Sequence, residues 1–325
     1  MDKLPFEAVK RKIIIRKEAE TDPGLGTEPV KRPVKEIVNY GIVNIDKPKG
    51  PTSHQVSDYV QRILNIEKAG HSGTLDPGVT GVLPIAVGRA TRIVQTLLKA
   101  GKEYVALMHL HKKVDEAKIK NLFREFTGKI KQLPPIKSSV KRVEREREIY
   151  YLKIIEIEEK DVLFKVGCQA GTYIRKLIHD MGEKIGTGAH MVELRRTKAG
   201  PFDETTLATL QDLTDAFWYW TKEGNERYIK SIIQPVESAI SHLPKIWVVD
   251  SAVNTLCHGA NLNTPGIARL NSDIRQQDMM AVMTLKSELI CLGTALTDAK
   301  EMLKEKGMVV KTDRVFMLPD TYKII

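Results

Sequence analysis

With 325 residues and 42% apolar content, the chain is long enough to bury its cores, and three scattered cysteines exclude a disulfide framework or a Cys-x-x-Cys zinc site. No apolar run reaches membrane-spanning length and the first residues lack a secretory apolar core, so a soluble, intracellular protein is predicted. A net charge of +10 and a pI near 9.3 point to a polyanionic partner.

The charge is unevenly spread. Residues 246–325 hold nine basic and nine acidic side chains, so residues 1–245 carry the whole excess. Residues 1–36 are charged and interrupted by Asp22-Pro23-Gly24 and Gly26, with Ile13-Ile14-Ile15 set between basic residues. This stretch reads as an extension that packs elsewhere through a short strand or docked arm. A buried strand is predicted over 41–46, followed by a rigid basic turn, Lys47-Pro48-Lys49-Gly50-Pro51. Lys47 and Lys49 there suit either phosphate contact or a solvated turn. Thr52-x-x-Gln55 has capping-box spacing, and Val56, Tyr59, Val60, Ile63 and Leu64 mark one face of a helix.

Residues 70–81, Gly-His-Ser-Gly-Thr-Leu-Asp-Pro-Gly-Val-Thr-Gly, are the densest signal in the chain. Asp-Pro-Gly alone is a common turn, in which Asp caps its own backbone and Pro presets φ. Four glycines around His71, Ser72, Thr74 and Asp76 are costly for a loop that only reverses direction. An isolated carboxylate on such a loop fits a nucleophile or base, provided a neighbour keeps it ionised and aimed.

A strand is predicted over 82–87, then a helix opening at Gly88 and carrying Ile93, Val94, Leu97 and Leu98. Residues 102–108 alternate as a strand that sets Tyr104 opposite Val105. Ile119, Leu122, Phe123 and Phe126 mark a helix stopped by Gly128. The basic, serine-bearing run from Lys137 to Arg147 suits an RNA-gripping loop or a solvated hairpin tip, and strands follow at 150–157 and 162–167. A helix is predicted from near Thr172, with Ile174, Leu177, Ile178, Met181 and Ile185 as its apolar stripe. Arg175 lies in its first turn, where the helix dipole favours anions, and such a local conflict marks a candidate counter-ion for a carboxylate. A strand around Leu194–Thr197, a helix from Leu207 and short strands and turns from Ile246 complete the pattern.

Five motifs, in order, resemble the TruB-type pseudouridine synthase family: Asp46-Lys47-Pro48-Lys49-Gly50, Gly70 to Pro77, Gly101-Lys102-Glu103-Tyr104, Gly171 to Arg175, and Gly188-Ala189-His190 through Leu194-Arg195-Arg196. Pro134-Pro135, Gly200-Pro201-Phe202, His258-Gly259-Ala260, Pro265-Gly266-Ile267 and Val315-Phe316-Met317 are similar to its dyskerin-like branch, in the archaeal form. The likeness spans about residues 37–325. It implies an α+β fold with an N-terminal extension over 1–36, a catalytic domain over 37–245 on a mixed, largely antiparallel sheet, and a small β-rich PUA domain over 246–325.

The resemblance also implies isomerisation of uridine to pseudouridine in RNA, without cofactor or metal. It assigns Asp76 as the essential carboxylate, Arg175 as its ion-pair partner and Tyr104 as the ring that stacks on the target base. His71 is assigned to hold the flipped nucleotide, Leu194 is an apolar wall, and Tyr173 and Lys47 are supporting pocket residues. Asp76 either attacks C1′ or takes a proton from the sugar, and the base that removes the C5 proton is either Tyr104 or water. The implied partners are an H/ACA guide RNA, substrate rRNA and tRNA, small Gar- and Nop-type proteins and a kink-turn-binding ribosomal-type protein, in an archaeal cytoplasm rather than a nucleolus. The rival readings are a guide-independent enzyme acting on the tRNA T arm and a non-catalytic RNA-binding scaffold subunit.

Overall fold

The computed structural model describes residues 2–134, 141–304 and 306–323. Positions 137–140 of the predicted gripping loop lie outside these residues. The described chain divides into two compact units, Met1–Ala8 with Ile42–Ile233, and Val9–Gly41 with Gln234–Ile325. None of the described helices is long and apolar enough to cross a membrane.

The first unit is built on a mixed sheet. Across it lie, in order, Gly41–Lys47, Thr80–Val87, Ala189–Ala199, Lys102–Leu110, Asp161–Cys168, Arg145–Glu158 and Gly128–Gln132. Only the pairing of Thr80–Val87 with Ala189–Ala199 is parallel among these neighbours. Gly81 makes that pairing possible. Its φ is +100°, and a Cβ there would lie 2.2 Å from the carbonyl oxygen of Arg196. Period-two alternation turns Tyr104, Ala106, Met108 and Leu110 into a core shared with Phe123, Phe164, Leu177, Ile178 and Met181. Val105 and Leu107, between them, are half-buried.

Helices follow their local signals. Ser53–Ile63 begins with the Thr52/Gln55 capping box, both of whose reciprocal bonds form. The Gly88 helix is a 3₁₀ segment, Gly88–Ile93, that becomes α-helical over Val94–Lys99. The helix expected at Leu207 starts at Leu210, after a 3₁₀ turn over Glu204–Thr206, with Thr209 and Asp212 as its capping box. The helix expected near Thr172 starts at Ile174. The delay has a cause: the Thr172 hydroxyl donates to the Gln169 carbonyl at 2.7 Å and the Tyr173 amide to Oε1 of Gln132 at 3.0 Å. Thr172 is thereby held outside the helical ladder, and Tyr173 enters it only through its carbonyl, which accepts from the Leu177 amide at 2.9 Å.

The second unit contains a seven-stranded sheet ordered Ile13–Ile15, Ile267–Asn271, Lys245–Val248, Met279–Met283, Leu289–Ala295, Met308–Val315 and Leu262–Asn263. The isoleucine run of the N-terminal arm is its edge strand, with Ile13 paired to Asn271 and Ile15 to Arg269. Further along the arm, Arg32 is buried and grips Glu237 through two bonds of 2.9 and 2.8 Å, and the Thr27 amide donates to Oε1 of buried Glu288 at 2.9 Å. Val253, Leu256 and Cys257 on the helix Asp250–Cys257 enter the core with Ile246, Val282 and Ile290.

Candidate active site

The loop between the strands Ala69–His71 and Thr80–Val87 is anchored at two apolar points, Leu75 and Val79, both buried. Between them Asp76, Pro77 and Gly78 are exposed, closed into a turn by the Val79 amide donating to the Asp76 carbonyl at 2.9 Å. The four loop glycines are not equivalent. Gly73 (φ +133°) and Gly81 need their left-handed dihedrals, whereas Gly70 and Gly78 have ordinary φ, and a Cβ on Gly78 would meet nothing within 4 Å.

Arg175 lies in the first turn of the helix Ile174–Ile185, and its Nη2 donates to Oδ2 of Asp76 at 2.8 Å. This brings together two residues almost a hundred positions apart. The pair is open: 57% of the Asp76 side chain and 66% of the Arg175 side chain are accessible. The carboxylate therefore stands on a face of the protein rather than at the bottom of a closed pocket. One oxygen is committed to the guanidinium and the carboxylate remains approachable from solvent.

Beneath the loop the chemistry is buried. Tyr104 is only 9% exposed, so in the free protein little of its ring is available for stacking. Burial raises the pKa of its phenol, and the positive charge of the neighbouring Arg196 guanidinium opposes that rise. Arg196 is fully buried, donating through Nε to the Val82 carbonyl at 2.7 Å and through both terminal nitrogens to the Gly73 carbonyl at 3.3 and 3.4 Å. It is the site residue that sequence reasoning missed. The strand register sets it directly opposite Tyr104, and the Arg195-Arg196 pair was visible in the sequence only as a motif, without a partner.

Lys47 corrects the phosphate reading. Its side chain is fully buried and its ammonium donates to the carbonyls of Pro48, Pro77 and Val79 at 2.9, 3.2 and 2.8 Å. All three donors are used inside the protein, so Lys47 fastens the Asp76 turn and offers nothing to a phosphate. Burial lowers its pKa, and the negative charge of Asp76 works against that shift. Lys102 plays a similar part: its ammonium caps the carbonyls of Leu97 and Ala100, both at 2.7 Å, and burial pulls its pKa down to about 7.

His71 is half-buried, and burial, then the neighbouring His54 and Arg196, lower its pKa to about 4. Tyr173 is the N-cap residue of the Arg175 helix, half-buried, its carbonyl accepting from Nε2 of Gln132 at 3.1 Å. Leu194 is half-buried against the core of the unit. Beside Arg175 an open cavity of about 490 Å³ is lined by Leu133, Pro134, Arg142, Lys176, His179 and Met191, among others. Among the described residues no group of three or more His, Cys, Asp or Glu side chains is arranged to hold a metal ion.

Comparison with known proteins bears directly on this geometry. The model described as TruB family pseudouridylate synthase (N terminal domain) matches residues 61–117 and 111–174, and that of the tRNA pseudouridylate synthase B C-terminal domain matches 175–241. A DKCLD (NUC011) domain matches residues 2–57 and a PUA domain 244–316. The chain belongs to the TruB family of pseudouridine synthases, enzymes that act on RNA, and it joins the catalytic fold of that family to a C-terminal PUA domain.

Within that family the chain falls in the dyskerin-like branch. It is 55% identical over 317 residues to the probable tRNA pseudouridine synthase B of Pyrococcus abyssi, covering 97% of this chain and 95% of the relative. It is 54% identical over 320 residues to the protein of the same description from Nanoarchaeum equitans, with 98% and 92% covered. Among solved structures, a Cbf5-Nop10-Gar1 complex contains a chain with TM-score 0.95 and 54% identity, covering 99% of this chain and 98% of that one. An H/ACA RNP bound to a substrate RNA containing 2′-deoxyuridine contains another, with TM-score 0.93, 51% identity and 99% of both chains covered.

Proposed function

We propose that this protein converts uridine to pseudouridine in RNA selected by an H/ACA guide, rRNA foremost, and also at the T-arm uridine of tRNA, with Asp76 as the catalytic carboxylate. The observation that carries this reading is the Arg175–Asp76 contact at 2.8 Å on an accessible face. Isomerisation breaks the N1–C1′ bond, turns the detached uracil, joins C5 to C1′ and moves the C5 proton to solvent while N1 gains one. Whether Asp76 adds to C1′ or takes a proton from the sugar, it must be ionised and aimed, and a guanidinium bound to one oxygen serves both needs.

Tyr104 enters as a neutral phenol, because burial raises its pKa, and borders the base rather than acting as a standing phenolate. Flipping a uridine out of its stack costs a few kcal/mol, which apolar walls such as Leu194 and the ring of Tyr104 help to offset. The cavity beside Arg175 carries Arg142 and Lys176 in its lining, which flanking nucleotides would meet through their phosphates. Residues 37–245 act as the catalytic domain. Residues 246–325, nearly neutral in charge, hold the guide through shape and single-stranded bases at its ACA end.

The solved assemblies of similar chains with Nop10, Gar1 and H/ACA RNA support partners of the same kinds here, and an archaeal cytoplasm is the compartment this reading implies. Incubation with tRNA alone, and with guide and partner proteins on a complementary RNA, separates guided from stand-alone action. Asp76→Asn is expected to abolish tritium release from C5-labelled uridine while guide-RNA binding stays at the wild-type level. Full activity in that variant would overturn the assignment of Asp76 as the catalytic carboxylate, whereas no activity in the wild type on any RNA would leave the role of a scaffold.

A further inference from the structure

We propose that His54 is a positioning residue: it fixes the tautomer and ring plane of His71 and, with Ser53, makes the start of the helix Ser53–Ile63 a two-point clasp on the loop that carries Asp76. The catalytic half of this inference rests on the activity proposed above.

Hydrogen-bond direction supplies the reasoning. The Gly73 amide has a proton to give and lies 3.3 Å from Nδ1 of His71, so Nδ1 must present its lone pair. The ring proton of neutral His71 is then on Nε2. That atom is 3.1 Å from Nδ1 of His54, which must accept, leaving the His54 proton on its outer nitrogen. The rings meet edge to face, with centroids 4.7 Å apart and planes at 75°. The Nε2–H tautomer of His71 is thus held from two sides, by the Gly73 amide at Nδ1 and by the His54 acceptor at Nε2, and the long Gly73 contact alone holds it less firmly.

Ser53 makes the second point. Its hydroxyl accepts from the Leu75 amide at 2.8 Å and donates to the Leu75 carbonyl at 3.2 Å, fully buried. Leu75 immediately precedes Asp76. Ser53 and His54 therefore hold the loop at residues 75 and 71, and the Thr52/Gln55 capping box holds the turn that presents them. With both ring nitrogens engaged, His71 offers a substrate its ring surface and no proton, in keeping with its lowered pKa.

The test compares His54→Leu and His54→Ala, which remove the acceptor, with His54→Asn, whose Oδ1 keeps one. Nitrogen-15 NMR of His71 is expected to show the Nε2–H tautomer in wild type and His54→Asn, and a mixture in the other two. In pseudouridine formation the acceptor-less variants should lose about five-fold in kcat, the scale of one neutral hydrogen bond, with KM little changed and with rescue by Asn. An unaltered His71 tautomer together with unaltered kcat in either acceptor-less variant overturns the proposal. Absence of pseudouridine formation by wild type on every RNA tried would instead defeat the proposed activity, and the NMR comparison would still decide the clasp.

Discussion

Asp76 and Arg175 form an ion pair whose worth lies in direction more than in stability. With both partners more than half exposed, the contact adds between zero and about 1 kcal/mol to folding. Arg175→Ala should therefore leave the unfolding midpoint in urea nearly unchanged while turnover falls by about 100-fold or more, since the carboxylate loses the group that aims it. His71 gives a pH signature. Its folded pKa of about 4 lies below the ordinary 6.5, so the unfolded chain binds the extra proton first on acidification. Its contribution to stability is complete above pH 6.5 and drains away as the pH falls toward 4. An NMR titration of the ring with a midpoint near 6.5 would contradict that assignment.

At this scale the sequence was legible where the signal was local. The crowding around Asp76 and the misplaced charge of Arg175 were both visible in their own neighbourhoods. Lys47 and Arg196 were not, because a basic side chain turned inward is specified by carbonyls that other segments supply. Pro77 and Val79 supply them for Lys47, and Val82 and Gly73 for Arg196. No periodicity or composition records where such acceptors point.

The helix Ile174–Ile185 sets the reach of Arg175. Its apolar stripe, readable at three- and four-residue spacing, packs it down, and Gly182 sets how close it comes to the strand Ala189–Ala199. A Cβ on Gly182 would stand 2.2 Å from the amide nitrogen of Ala189 and 2.6 Å from the carbonyl carbon of Gly188. Those atoms are backbone and cannot swing aside. Gly182→Ala is expected to cost about 1–3 kcal/mol by overpacking and to lower turnover as well, by lifting the helix that carries the guanidinium. Thermal melts with parallel activity assays check both effects. The sequence placed the start of this helix two residues early, since nothing local announces that Gln132 captures the Tyr173 amide from another strand.

For the whole chain, the pattern of strands and helices revealed an α+β protein, and the change of texture near Ile246 falls inside the second unit, which takes up the chain at Gln234. What stayed hidden was the destination of the N-terminal arm, because an edge strand of three isoleucines shows its pairing only in three dimensions. The arm is integral to the second unit's sheet. Removing residues 9–36 would strip the Ile267–Asn271 strand of its outer neighbour and leave the half-buried Glu237 without Arg32. Such a truncation is expected to lower the melting temperature of the second unit and to promote self-association, measurable by calorimetry and light scattering.

The Ile13–Ile15 pairing also constrains how the polypeptide is made. These isoleucines leave the ribosome well ahead of their hydrogen-bonding neighbours, which are translated about 250 residues later. Closing so long a span adds only slowly to the entropic cost of folding, but the delay is fixed by synthesis. Through most of translation three adjacent isoleucines wait without their strand, and the two arginines and two lysines that bracket them, Arg11, Lys12, Arg16 and Lys17, supply the charge that keeps a nascent β-segment from finding the wrong mate.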